Sequence, residues 1–191
     1  MATKWTSPVW RMPENSNQSK LDNYSLDFDG TQYIDCGNDS IFNNTFTGNA
    51  FSFSVWIKSS TNVSYDGIIN FGSRVQSFLS SNKIKIWLQG SSGFIVNTFT
   101  SNTTILSDTW YHIVFTRNGN NNTLYINGDL DNTVTSTGSV ATTTSTFKIG
   151  AYSSSQYKWD GNLTEVSIFD YALSETQVKY LYNNNAGGST P

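Results

Sequence analysis

The feature that most constrains this chain is a series of short segments in which apolar and polar residues alternate. Residues 51–55 and 83–88 show the alternation most clearly. Successive side chains of a strand point to opposite faces, so a period of two predicts half-buried strands. The predicted strands are 24–28, 32–36, 51–55, 67–71, 75–79, 83–88, 94–99, 110–116, 123–126, 147–150 and 163–169. About a dozen short strands with no helical pattern between them indicate an antiparallel sandwich of two sheets.

Two dipeptides with a strong turn preference lie between these strands. Asp29-Gly30 separates the first two predicted strands, and Asn127-Gly128 follows the ninth. Both pairs favour two-residue hairpins, so strands 24–28 and 32–36 are expected to pair with each other. Trp56 lies on the same face of its strand as Ser52 and Ser54, so the outer face of that strand is not wholly polar.

One helix is predicted near the carboxyl end. Ser174 and Gln177 have the spacing of a capping box, and Val178, Leu181 and Tyr182 follow at helical intervals. The expected organisation is an amino-terminal arm at 1–22, one sandwich domain at 23–183 and a flexible tail or linker at 184–191.

Charge and hydropathy weigh against two kinds of partner. The net charge is −3 and the pI is near 4.9, so the chain has no long-range attraction for nucleic acid or anionic membranes. No segment approaches the roughly 18 consecutive apolar residues of a membrane helix. Lys4 is not followed by the apolar core that a signal peptide requires. We expect neither nucleic acid binding nor membrane insertion. Cys36 is the single cysteine, which excludes an internal disulfide, and it is expected to be a small core residue.

Five segments in order resemble the laminin-G-like, concanavalin A-like jelly-roll family and together span residues 24–182. They are 25–30 (SLDFDG), 51–57 (FSFSVWI), 110–116 (WYHIVFT) with 124–128 (LYING), 161–169 (GNLTEVSIF) and 172–174 (ALS). The resemblance implies an all-β jelly-roll sandwich of two antiparallel sheets with one short C-terminal helix. His112, in the third segment, is expected to be a hydrogen-bonded scaffold residue.

The same resemblance implies a structural calcium ion near the first hairpin and the strand before the helix. Asp27, Asp29 and Asp35 could supply the hard oxygen ligands that Ca²⁺ takes. Relatives usually carry an acidic residue where Thr164 stands, and Glu165 could substitute for it. The alternative for Asp29 is that it only caps the Asp-Gly turn.

Catalysis is not expected. Glycoside hydrolysis needs two carboxyl groups beside the scissile bond. The three glutamates, Glu14, Glu165 and Glu175, lie in the arm, a late strand and the helix cap. The sequence also contains neither a Gly-x-Ser-x-Gly nucleophile elbow nor a phosphate-binding glycine loop. The chain is therefore predicted not to be an enzyme.

Candidate ligand-binding residues are aromatic side chains with polar neighbours, because a sugar presents both an apolar face and hydroxyl groups. One cluster lies in a Ser-rich loop, and two further aromatics have Asp66 or Gln89 close by in sequence. The predicted ligand contacts are Tyr152, Gln156, Tyr157, Trp159, Asp160, Tyr65 and Trp87. The alternative is that the loop aromatics only pack beneath a long connection.

The amino-terminal arm carries Trp5 and Trp10 beside prolines. These side chains either pack back on their own sandwich or dock on a neighbouring subunit.

Two functions are therefore expected. The first is a non-catalytic surface recognition domain that binds a glycan or cell-surface polysaccharide. The alternative is a structural or decoration domain of a virion or cell-surface assembly, docked through the arm to a homo-oligomer or viral structural partner. The resemblance implies an extracellular or virion-surface location, because laminin-G-like domains are frequent on such surfaces. The Asn-rich, Cys-poor composition and the missing signal peptide favour a microbial or phage source whose export is by other means.

Overall fold

The structure, a computed structural model, contains two sheets in whose strands the burial of the side chains alternates. It describes residues 25–60, 65–153 and 156–185, without the side chains of Thr98, Asn184 and Asn185. The strands are β1 (Leu26–Asp29), β2 (Ile34–Asp35), β3 (Ala50–Ser59), β4 (Asp66–Phe71), β5 (Val75–Ser80), β6 (Lys83–Gly90), β7 (Gly93–Thr100), β8 (Tyr111–Asn118), β9 (Asn121–Ile126), β10 (Asp129–Thr135), β11 (Phe147–Ile149) and β12 (Asp160–Phe169). The helices in these residues are α1 (Ser40–Thr47) and α2 (Glu175–Asn185).

The strands divide equally between two antiparallel sheets. The first sheet has the order β1-β12-β3-β8-β9-β10, and the second has the order β2-β11-β4-β5-β6-β7. The expected jelly-roll sandwich with a short C-terminal helix is thereby confirmed.

The core lies between the inner faces of the sheets. On β6, Ile84, Ile86 and Leu88 are fully buried, while Lys83 and Lys85 remain half-buried on the other face. The predicted alternation of this strand is confirmed. Burying a side chain of this size stabilises the fold by roughly 1.5–3 kcal/mol, and the core contains more than twenty such residues within the described part of the chain.

Helix α2 covers the outer face of the first sheet. The predicted capping box forms: the Gln177 backbone N–H donates to Ser174 Oγ at 3.3 Å, and the Ser174 N–H donates to Gln177 Oε1 at 2.9 Å. Val178 then packs against Val114 and Leu173. This cover explains why β3 carries Trp56 on its outer face.

The expected Asp29-Gly30 hairpin is wrong. Strand β1 pairs with β12, and β2 pairs with β11 in the other sheet. Packed sheets lie about 10 Å apart, so the chain needs residues 30–33 to cross and a two-residue turn would be too short. The Asn127-Gly128 turn, by contrast, joins the paired strands β9 and β10 as predicted.

Two local features differ from the sequence analysis. Helix α1 was not predicted; Asp39 caps it by accepting a hydrogen bond from the Ile41 N–H, and Phe42 and Phe46 pack on the core. Cys36 is exposed, so the prediction that it is a core residue is wrong. It lies in the connection that leaves β2, where the strand alternation has already ended.

Candidate functional site

The outer face of the second sheet carries a line of aromatic rings contributed by four adjacent strands. Tyr65 directly precedes β4, and Phe78, Trp87 and Phe94 lie on β5, β6 and β7. Successive ring centroids are 5.5, 4.9 and 5.5 Å apart. Phe78 and Trp87 point outward because their strand neighbours are buried in the core. We call these four residues the aromatic row.

A loop between β11 and β12 adds two tyrosines to this face. Its base is closed by a bridge between Ala151 and Lys158, and the Tyr152 N–H donates to the Tyr157 carbonyl at 3.0 Å. The Tyr152 ring lies 5.9 Å from Tyr65 and 5.3 Å from Phe78, and the Tyr157 ring lies 5.4 Å from Tyr65. We call the described residues 151–153 and 156–158 the aromatic loop.

Gly67 allows the aromatic loop to lie directly against β4. A Cβ atom at this position would be 1.8 Å from the Tyr152 nitrogen, so only glycine fits. The Gly67 N–H donates to the Tyr157 carbonyl at 3.1 Å, and Asn70 Nδ2 donates to the Tyr152 carbonyl at 2.5 Å. The loop backbone is thus fixed at two points.

Three rings of the site are well exposed, while Trp87 and Tyr152 are half-buried. Tyr65 is 36% exposed, Tyr157 45% and Phe94 50%, whereas Phe78 is fully buried beneath its neighbours. Tyr65 and Tyr157 both have left-handed backbones, with φ of 70° and 58°. Bulky residues rarely adopt this conformation, which costs about 1–3 kcal/mol and is concentrated at ligand-binding sites.

Polar side chains border the rings. Lys85 lies opposite Phe78 in the β5–β6 register, and Gln76 lies opposite Trp87. Burial raises the pKa of the Tyr152 hydroxyl, against the effect of a side-chain hydrogen bond with Gln76. Gln156 in the loop is exposed, so its amide can reach solvent or a ligand.

Asp66 is the strongest electrostatic feature of this region. It is 3% exposed, and within the described part of the chain its Oδ2 atom makes no hydrogen bond. Burial, followed by the negative charge of Asp160, raises the pKa of Asp66 to about 6. This carboxyl group therefore takes up a proton in mildly acidic solution.

The structure brings most of the predicted ligand-binding residues together. Tyr65, Trp87, Tyr152 and Tyr157 join one ring cluster, with Gln156 in the same loop and Asp160 at the start of β12.

Trp159 is different. It is fully buried and belongs to the core, so the prediction that it contacts a ligand is wrong. Its backbone N–H donates to Gly150 O, which fixes this stretch inside the sandwich. The sequence analysis missed Phe78 and Phe94, although the alternation of β5 could have placed Phe78 on the outer face.

The four predicted calcium ligands are hydrogen-bonded to other groups or exposed. Asp29 accepts hydrogen bonds from Thr31 and caps its turn, and Asp35 in the other sheet accepts from Gly37 N. Asp27 is exposed on β1, and Glu165 is exposed on β12. Among the described residues no group of three or more His, Cys, Asp or Glu side chains could hold a metal ion. Calcium binding stays a prediction from the sequence, which thermal melting with and without a chelator would test.

His112 is a scaffold residue, as expected. Its Nε2 atom and Ser54 Oγ are 2.8 Å apart, and its ring lies beside the rings of Trp56 and Tyr182, the latter on helix α2. Burial lowers the pKa of His112 to about 4, so the ring is neutral near pH 7.

Trp5 and Trp10 lie outside the described residues, so their docking role stays a prediction. No described helix combines the length and the apolar character that a membrane crossing requires.

Two six-stranded antiparallel sheets with a helix on one outer face and an aromatic cluster on the other define a lectin-like sandwich. The chain belongs to the concanavalin A-like lectin/glucanases superfamily, whose laminin-G profile matches residues 28–179. No curated protein sequence matches the chain.

Solved structures share this fold. Domain 4 of AbnA, a GH43 extracellular arabinanase from Geobacillus stearothermophilus in complex with arabinotriose, has a TM-score of 0.65 and 19% identity, covering 83% of this chain and 76% of that one. The binding domain of botulinum neurotoxin serotype D has a TM-score of 0.60 and 19% identity, covering 80% of this chain and 40% of that one. A structure of botulinum neurotoxin type C, whose cell entry depends on two ganglioside molecules, has a TM-score of 0.61 and 16% identity, with 80% and 40% coverage. The chain therefore spans less than half of these toxin structures, and identities this low show the fold alone.

Proposed function

We propose that this chain is a non-catalytic carbohydrate-recognition domain that binds a glycan at the aromatic row and the aromatic loop. The observation that carries the proposal is the cluster of Tyr65, Tyr152 and Tyr157 on an outer sheet face that no described helix covers. Two of these rings are more than one-third exposed, in strained backbone conformations held by the surrounding contacts.

The chemistry of the cluster suits a sugar. The exposed ring faces of Tyr65 and Tyr157 offer apolar contact to the C–H face of a sugar ring. The Gln156 amide and the Lys85 ammonium can hydrogen-bond to its hydroxyl groups. A few convergent polar groups around aromatic walls are typical of small-ligand sites.

Structures that share the fold support the same class of ligand. The arabinanase domain was solved with arabinotriose, and the type C neurotoxin uses two gangliosides for cell entry. Both ligands are carbohydrates or carry them. Because such ligands lie outside cells, the proposal includes an extracellular or virion-surface location.

The buried carboxyl group of Asp66 does not suit acid catalysis of glycoside cleavage. An acid catalyst must reach the glycosidic oxygen, whereas Asp66 is 3% exposed. Glu165 and Glu175 lie on the late strand β12 and at the start of helix α2, away from the aromatic row. These positions support a binding role. The alternative role in a virion or cell-surface assembly rests on residues 1–22 and stays a prediction.

A glycan array tests the proposal with wild type, Tyr65→Ala and Tyr157→Ala. Loss of one ring contact should weaken binding of any bound glycan about fivefold to tenfold. Tyr180→Ala is the matched control, because Tyr180 is 66% exposed on helix α2, which covers the other sheet. An array with no bound glycan, or equal binding by wild type and both site variants, would contradict the proposal.

A further inference from the structure

Phe94 lies at the far end of the aromatic row, on the edge strand β7. Half of its surface is exposed, and its ring makes an edge contact with Trp87 at 5.5 Å and 72°. Gln89 is its register partner on β6 and therefore lies beside it on the same face. An exposed ring next to an amide repeats the composition of the tyrosine cluster at the other end.

Phe94 also lines a cavity of about 220 Å³ at the β6–β7 turn. Four hydroxyl-bearing residues, three glycines and Ile95 line it as well: Ser91, Ser92, Thr137, Ser139, Gly90, Gly93, Gly138 and Ile95. No lining residue is charged. The nearby Arg74 donates through Nη1 to Gln89 Oε1 and to the Gly90 carbonyl. These hydrogen bonds hold its guanidinium group against other protein atoms.

The two exposed ends of the row are too far apart for one sugar. Tyr65 and Phe94 lie on strands separated by three spacings, which is about 14 Å. Between them, Phe78 is fully buried and cannot stack on a ligand, and Trp87 is half-buried. A sugar ring is about as wide as an aromatic ring, so a ligand that touches both ends needs at least three linked sugars.

We propose that Phe94 and its hydroxyl-lined cavity form a second sugar-contact site, and that the ligand is a neutral oligosaccharide of three or more units lying across strands β4 to β7. The proposal rests on the proposed function and adds the length and charge of the ligand. The uncharged lining of the cavity favours sugar hydroxyls over a carboxylate.

The test is an array that holds arabinan, xylan and glucan oligosaccharides of one to six units together with sialylated oligosaccharides. Wild type should bind a neutral series, with affinity rising at least tenfold between two and four units. Phe94→Ala should remove that rise and leave the weak binding of one- and two-unit sugars unchanged. Phe94→Tyr, which keeps the ring, should retain the rise, and so should the control Tyr180→Ala on helix α2, which covers the other sheet.

The outcomes separate the two proposals. Binding that depends on Tyr65 and Tyr157 but not on ligand length or on Phe94 would overturn the second site and leave the proposed function intact. Binding of sialylated oligosaccharides alone would overturn the neutral ligand. An array with no bound sugar would overturn the proposed function and the second site together.

Discussion

Asp66 and His112 are buried titratable side chains on different sheets, and they respond to pH in opposite directions. The pKa of Asp66 is raised from 3.8 to about 6, so its contribution to stability is full at low pH and is lost as pH rises through 6. The pKa of His112 is lowered from 6.5 to about 4, so its contribution is full above pH 6.5 and is lost as pH falls through 4. Between pH 4 and 6 the two effects offset each other.

Single substitutions should separate the two titrations. Relative to wild type, Asp66→Asn should lose stability as pH falls from 6.5 to 4, because only the His112 effect remains. His112→Gln should instead gain stability over the same decrease. Urea denaturation at a series of pH values measures the free energy of unfolding of both variants. If this free energy changes with pH in both variants as it does in wild type, burial perturbs the pKa of neither group.

Individual residues differ in how well the sequence places them. Trp87 lies between Ile86 and Leu88 in a clean alternation, so its outward direction follows from the strand period. Trp159 directly precedes β12, and it is buried on the same face as Gly161 and Leu163, in an alternation that the sequence analysis did not extend back from the strand. Both tryptophans have polar neighbours in sequence, which is why Trp159 was wrongly assigned to the site.

At the scale of elements, the aromatic loop depends on the missing side chain of Gly67. Gly67→Ala should push the loop away from β4, lower stability by about 1–3 kcal/mol and weaken glycan binding together with it. Thermal melting and the glycan array measure the two effects. Gly48→Ala is the control, since Gly48 has an ordinary φ of −62° and the added Cβ would lie 3.3 Å from its nearest neighbour. A Gly67→Ala variant with both properties of wild type would contradict the contact.

Helix α2 depends on its capping box. Ser174→Ala removes the acceptor of the Gln177 N–H and should cost about 1 kcal/mol of unfolding free energy. Thr176→Ala, at an exposed position in the first turn, should cost much less. Urea denaturation compares them, and equal costs would show that the cap does not stabilise the helix.

Elements with a strong local signal could be predicted, and those decided by distant contacts could not. The capping box and the Asn127-Gly128 turn are local, and both were predicted. The Asp29-Gly30 pair looks equally local, but β1 and β2 find their partners in β12 and β11, more than a hundred residues later. Helix α1 is short and rich in Asn and Thr, and the packing of Phe46 on the core stabilises it.

At the scale of the molecule, the two outer faces of the sandwich are covered to different extents. Helix α2 and Tyr182 cover Trp56 and His112 on the first sheet. The second sheet keeps its aromatic row partly open, bordered by the loop. Alternation could predict that outer faces exist but not which one the helix covers, because that depends on where the chain leaves β12.

The central claim is that the glycan binds on this second outer face. Backbone amide chemical shifts of the labelled protein, titrated with a glycan that binds on the array, test it most directly. The largest shifts are expected at Asp66, Gly67, Tyr152, Tyr157 and Phe94, with little change at His112 and Val178. Shifts concentrated under helix α2, or at the β1 and β2 edges with none in the aromatic row, would contradict it.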